Sequence, residues 1–169
     1  MPRKWQPREM QMVAEYLAKN YSSYRSKTRV RLGQVHPSIL PDDISAEDLA
    51  FSGVWRRWAD AIVITPQKLI LIEAAILADA GDISKLALYK TLLPHTPEFA
   101  EYKNLDIELQ LVYAIEDPLI VIIAREAGIK TVYFKPDWIA EYIGTLTGNK
   151  QRATLTYPLP EIKGKLNNG

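Results

Sequence analysis

The chain has no cysteine. That excludes disulfides, thiolate zinc sites, iron–sulfur clusters and cysteine nucleophiles, and it suits a reducing compartment. Histidine is almost as scarce. His36 and His95 stand far apart, so a histidine-rich metal site is excluded and a Ser-His-Asp triad has little to draw on. Long apolar runs are missing too. The longest uncharged stretches, such as Pro118 to Ala124, fall well short of the roughly 20 residues that span a bilayer. The opening Met-Pro-Arg-Lys-Trp lacks the apolar stretch of a signal peptide, so the expected location is cytoplasmic. No Gly-rich dinucleotide loop, P-loop or Gly-x-Ser-x-Gly elbow occurs, and no internal repeat or low-complexity block is visible.

What is present suits one folded domain with a tail. The chain has 169 residues, of which 47% are hydrophobic, enough for a proper core. The net charge of +1 hides an asymmetry. Residues 1–36 hold eight basic side chains and only two acidic ones, Glu9 and Glu15, a local charge of +6. Such a segment suits a phosphate backbone or an acidic protein surface, or it is simply a solvated face.

The apolar spacing predicts a mixed α/β domain over residues 1–148 and an extended tail over 149–169. Residues 7–20 read as a helix with an apolar stripe of Met10, Val13, Tyr16 and Leu17. Tyr21 to Lys27 reads as a polar loop, and Val30 and Leu32 as a short strand ended by Gly33. Ser45 can cap a short helix. Trp58–Ile64 and Leu69–Leu77 read as a hairpin buried on both faces, with Thr65-Pro66-Gln67-Lys68 as its turn. A helix from Asp82 to Leu93, stopped by Pro94, follows. A strand over 107–115, a helix capped by Asp117 and closed by Gly128, and a strand over 131–134 make a parallel crossover. A last helix spans Pro136–Ile143, with Gly144 past its end.

The hairpin carries chemistry. A symmetric turn pairs Ile64 with Leu69. Counting back along both strands places Asp60 opposite Glu73, and Trp58 opposite Ala75. Directly opposed residues have Cβ atoms roughly 5 Å apart. Two like charges there destabilise the sheet unless something positive lies between them. That charge can be a divalent metal, a basic residue such as Arg31, Arg56 or Lys85, or a shared proton. Carboxylates with a backbone carbonyl form a ligand set that suits Mg²⁺. Trp55-Arg56-Arg57-Trp58 interleaves aromatics with cations, as nucleic-acid surfaces do; the bland reading puts Trp58 in the core.

A first helix, a short strand, a hairpin bearing Asp60 and Glu73, and a following helix together resemble the PD-(D/E)XK nuclease superfamily, with its restriction-endonuclease-like fold. Lys85 and Tyr89 look like that family's Gln-x-x-x-Tyr helix, with lysine in the glutamine position. The resemblance covers about residues 7–95. It implies a mixed β-sheet flanked by helices. It implies that Asp60, Glu73 and the Ala74 carbonyl hold Mg²⁺, and that Asp60, Glu73 and Lys85 are catalytic. DNA phosphates would then meet Arg29, Arg31, Arg56 and Arg57. Glu15 occupies a place where some members carry a further carboxylate. The departure is Ala75, where the family has lysine. Trp58 could fill that space, and Lys85 could replace the missing amine or merely pair with Glu73. Two functions follow from the resemblance. One is a DNA-associated protein with metal-dependent phosphodiester hydrolysis weak or lost. The other is a non-catalytic assembly protein of a tailed-phage virion (head completion, neck or head–tail connection), docking on protein partners or on copies of itself through residues 149–169. The second would place it in a virion.

Overall fold

The computed structural model describes residues 6–33 and 57–147. Trp55, Arg56, His36, the helix expected at Ser45 and the tail 149–169 lie outside the described residues. The chain divides into two units, Met1–Pro136 and Asp137–Gly169.

In the first unit, five strands among the described residues form one sheet in the order β1-β2-β3-β4-β5. They are β1 (Arg25–Leu32), β2 (Arg57–Ile64), β3 (Lys68–Leu77), β4 (Asp106–Ile115) and β5 (Lys130–Tyr133). The first three pair antiparallel, while β3, β4 and β5 pair parallel. Helix α1 (Gln6–Asn20) comes before β1, α2 (Ala80–Leu92) joins β3 to β4, and α3 (Pro118–Glu126) joins β4 to β5. This is a mixed α/β sheet flanked by helices. No helix among the described residues is long and apolar enough to cross a membrane.

Local chemistry accounts for the elements. Thr65 ties the hairpin turn: its hydroxyl donates to the Lys68 carbonyl at 2.8 Å and accepts the Lys68 N–H at 3.0 Å. Asp79 caps α2 in a reciprocal box with Asp82, and Asp117 caps α3 through the Leu119 and Ile120 amides. Gly128, at φ 74, closes α3 in a conformation that suits glycine. Strand β3 is buried on both faces. Leu69, Leu71 and Ala75 join the core that includes Leu86 of α2, whereas Ile70, Ile72 and Ile76 alternate to the side where α1 packs.

Three expectations are corrected. The polar stretch Tyr21–Lys27 is not all loop, because β1 begins at Arg25. As an edge strand it pairs with β2 on one side only and needs no apolar alternation to hold it there. Met12, not Met10, is the fully buried methionine of α1. In the second unit the helix α4 spans Ile139–Thr147, and Gly144 lies inside it rather than past its end. Its N-terminal turn is fixed by the Tyr142 amide donating to the Trp138 carbonyl.

The largest departure from a regular ladder sits at Arg29 and Asp60. Pairing of β1 with β2 keeps one register from end to end, but the bridge opposite Asp60 is missing. Arg29 there has φ 50. Both strands change face at this point. Lys27 lies over the ring of core residue Phe99, yet Val30, three residues on, belongs to the same core. Ala59 and Ile62 share that core as well. In a strand with a period of two, residues three apart cannot share a face. Trp58 is therefore turned away from Ala75. It is 41% exposed, and Ala75 is itself buried in the core. The expectation that Trp58 would be core, filling the space above Ala75, is thus reversed.

Candidate functional site

The hairpin register runs as counted through Ile64–Leu69, Val63–Ile70, Ile62–Leu71 and Ala61–Ile72. It stops one step before Asp60 and Glu73. The strands part there, and β3 needs other acceptors for its outward amides. Asp60 supplies one: its Oδ2 accepts the Ala74 N–H at 2.8 Å. Glu9 of α1 lies near enough for the charge of Asp60 to act on it. The Asp60 carboxylate thus stands where a continued β2 backbone would be.

Glu73 points to the other side, under α2. It is 4% exposed. Its Oε1 accepts from the Lys85 ammonium at 2.7 Å, and the same ammonium donates to Asp82 Oδ1 at 2.8 Å. Asp82 is also buried, and its Oδ2 accepts the Asp79 N–H. Lys85 therefore bridges the sheet and the first turns of α2. Tyr89, one turn further, is buried close enough for Glu73 to act on its hydroxyl.

The electrostatics follow from burial. Glu73 is pushed up to about 8, first by desolvation and then by the charge of Asp60, against the pull of Lys85. Asp60 is raised by burial, with the Ala74 N–H and Lys85 opposing. Glu9 is raised by burial and by Asp60 and Asp82. The Lys85 ammonium is held charged by Asp82 and Glu73, well above the ordinary lysine range, although burial opposes this. The Tyr89 hydroxyl is raised by burial and by Glu73.

The structure brings Asp60, Glu73, Ala74 and Lys85 together. It splits the arginines. Arg29 and Arg31 flank Trp58, with guanidinium carbons 5.5 and 4.6 Å from the ring centroid. Arg57, one step from Trp58 along β2, points to the opposite face, where its charge reaches Tyr89. Glu15 is not at the site: it accepts from Gln11 along α1. The α1 carboxylate on which Asp60 acts is Glu9. A signal existed, since Glu9 precedes Val13 by one turn and so lies on the buried stripe of α1.

Does the site suit a divalent cation? Among the described residues, no three His, Asp or Glu side chains are grouped to hold a metal ion. Yet Glu73 Oε2 is buried and finds no hydrogen-bond partner among them, with the carboxylate of Asp60 acting on it. A buried carboxyl oxygen in that position suits a proton or, once ionised, a cation. The donor set therefore fits a metal held by two carboxylates, with Lys85 already neutralising the outer oxygen of Glu73.

No family model matches the chain, and no curated protein matches it in sequence. Solved structures do resemble it. A repair endonuclease from Pyrococcus abyssi aligns with TM-score 0.46 at 12% identity, over 75% of this chain and 46% of that one. AF1548, a protein of unknown function, aligns with TM-score 0.46 at 12% identity, over 80% of this chain and 65% of that one. VC1899 from Vibrio cholerae aligns with TM-score 0.42 at 16% identity, over 85% of this chain and 32% of that one. The chain spans less than two thirds of each of these proteins, so the chemistry has to come from its own residues.

Proposed function

We propose that this chain is a DNA-associated protein with a worn PD-(D/E)XK site, in which metal-dependent phosphodiester hydrolysis is weak. One observation carries the reading. Asp60, Glu73 and Lys85 meet where the hairpin parts, and the inner oxygen of Glu73 is left without a hydrogen-bond partner among the described residues. Asp60 and Glu73 would hold Mg²⁺. Bound there, the ion would lower the pKa of a water and stabilise charge on a phosphoryl group. Lys85 keeps its proton, so it acts as a positive charge and a donor toward a water or a phosphate oxygen, never as a base. Ala75 contributes packing only. The missing lysine accounts for weak turnover, because Lys85 is already bound by two acids.

The test is nicking of supercoiled DNA with Mn²⁺. Slow cleavage by the wild type that is lost in Glu73→Ala and Asp60→Asn supports the reading. Equal cleavage by all three proteins points to contamination and removes it. Mn²⁺ should also raise the melting temperature of the wild type and not that of Asp60→Asn.

A non-catalytic assembly role, in a tailed-phage virion or elsewhere, is the second reading. It is supported by Ala75 and by an apolar strip on α3, where Leu119, Ile122 and Ile123 are all exposed at helical spacing. No metal shift and no cleavage, together with a stable ring or a stable complex with a partner protein, would favour it.

A further inference from the structure

We infer that Arg29, Trp58 and Arg31 form a binding surface for a single polynucleotide strand. Phosphates would lie against the guanidiniums and an unpaired base against the indole. The inference deepens the reading above by naming the substrate form. It rests on that reading only for the claim that the bound strand leads toward Asp60.

Trp58 is the first ground. Tryptophan is normally well buried, and strand alternation from the hairpin would bury this one. The face change at Arg29 and Asp60 presents it outward instead, 41% exposed. The second ground is backbone strain. Arg29 sits at φ 50, where a side chain with a Cβ costs about 1–2 kcal/mol relative to the right-handed region. Glycine or asparagine would hold the same backbone more easily. The residue there is instead a long cation whose guanidinium reaches the Trp58 ring.

The third ground is what the cluster offers a ligand. Arg31 lies directly across from Trp58 in the ladder, and its guanidinium is 4.6 Å from the ring centroid. Arg29, whose guanidinium also lies over the ring, offers N–H donors that can meet phosphate oxygens two at a time. Among the described residues Arg29 forms no ion pair. A base can stack on the exposed ring in exchange for a guanidinium contact, because every base has a π face. A duplex hides its base faces and could use the cations alone, so the exposed ring selects a single strand. Trp58 precedes Asp60 by two residues, roughly 7 Å along the strand.

The experiment uses the full chain without metal and follows the anisotropy of labelled oligo-dT and of a duplex of equal length. The single strand should bind more tightly than the duplex, and binding should weaken several-fold from about 50 to about 200 mM salt. Trp58→Ala should lose about tenfold or more for oligo-dT, and Trp58→Phe should stay within about threefold. Arg29→Gly should weaken binding and flatten the salt dependence while keeping the backbone. If Trp58→Ala does not fold, the Phe and Arg29→Gly variants decide. Binding unchanged in Arg29→Gly and in a folded Trp58→Ala, a duplex preferred over the single strand, or poly-glutamate competing as well as oligo-dT would each overturn the inference. The Mn²⁺ melting shift separates the two ideas. A shift without strand binding defeats this inference alone, and strand binding without a shift defeats the metal site alone.

Discussion

A buried carboxylate next to another one prefers its proton, and Glu73 holds its own up to about 8 against an ordinary 4.5. Between those values the folded chain binds more protons than the unfolded one. Stability therefore falls as pH rises from about 4.5 to about 8, and levels off above. Asp60, raised by its own burial, contributes in the same direction. Thermal melts across pH 5 to 8 should show this fall in the wild type and a flatter profile in Glu73→Gln; identical profiles would mean that Glu73 is ionised throughout. Lys85 works in the opposite sense. Lys85→Met strands two buried acids. Because Lys85 is 37% exposed at its side chain, the expected loss is about 2 kcal/mol rather than the larger cost of a fully buried pair. Because Glu73 already keeps its proton below about 8, the loss should be larger above that pH than below it, which denaturant melts on either side would read. The pairing of Lys85 with Glu73 was legible in the sequence as one of its alternatives. For Glu9 only the stripe was legible, because nothing in a helical stripe says what its acid will meet across the sheet.

At the scale of elements, the parting of β2 from β3 is held by side chains doing backbone work. The amide of Ala74 goes to Asp60 because β2 has already turned away. The face change in β1 and β2 is centred on Arg29, and its cost is local. Arg29→Gly should be neutral or stabilise by up to about 1 kcal/mol, whereas Arg29→Val should destabilise by about 1–2 kcal/mol, since a β-branched residue fits φ 50 worst. Equilibrium denaturation of the pair checks this, and equal losses in both would place the cost elsewhere. The turn, the cap at Asp117 and the stop at Gly128 were readable, because each depends on one or two residues acting on their own backbone. The face change was not, since β1 and β2 make it together and neither run of residues announces it. Trp58 reads as a core residue only when strict alternation is carried through that point.

For the molecule as a whole, β3 is the keel. It is buried on both faces and flanked by β2 and β4, while β1 and β5 form the edges. Native-state hydrogen exchange should therefore be slowest in the middle of β3 and β4 and faster in β1 and β5; fast exchange across β3 would contradict this architecture. The order of helices and strands, the hairpin register near its turn and the presence of two acids at one end of it were set by the sequence alone. They depend on period, turn chemistry and counting, all of which act between near neighbours. Only the tertiary structure decided that the register gives way at Asp60, that Lys85 settles between Glu73 and Asp82, that Glu9 joins the acids and that Trp58 faces outward between two arginines. Each of those outcomes is a competition for a buried amide, charge or face among segments distant in the chain, and burial sets its energy only once the sheet and helices are packed.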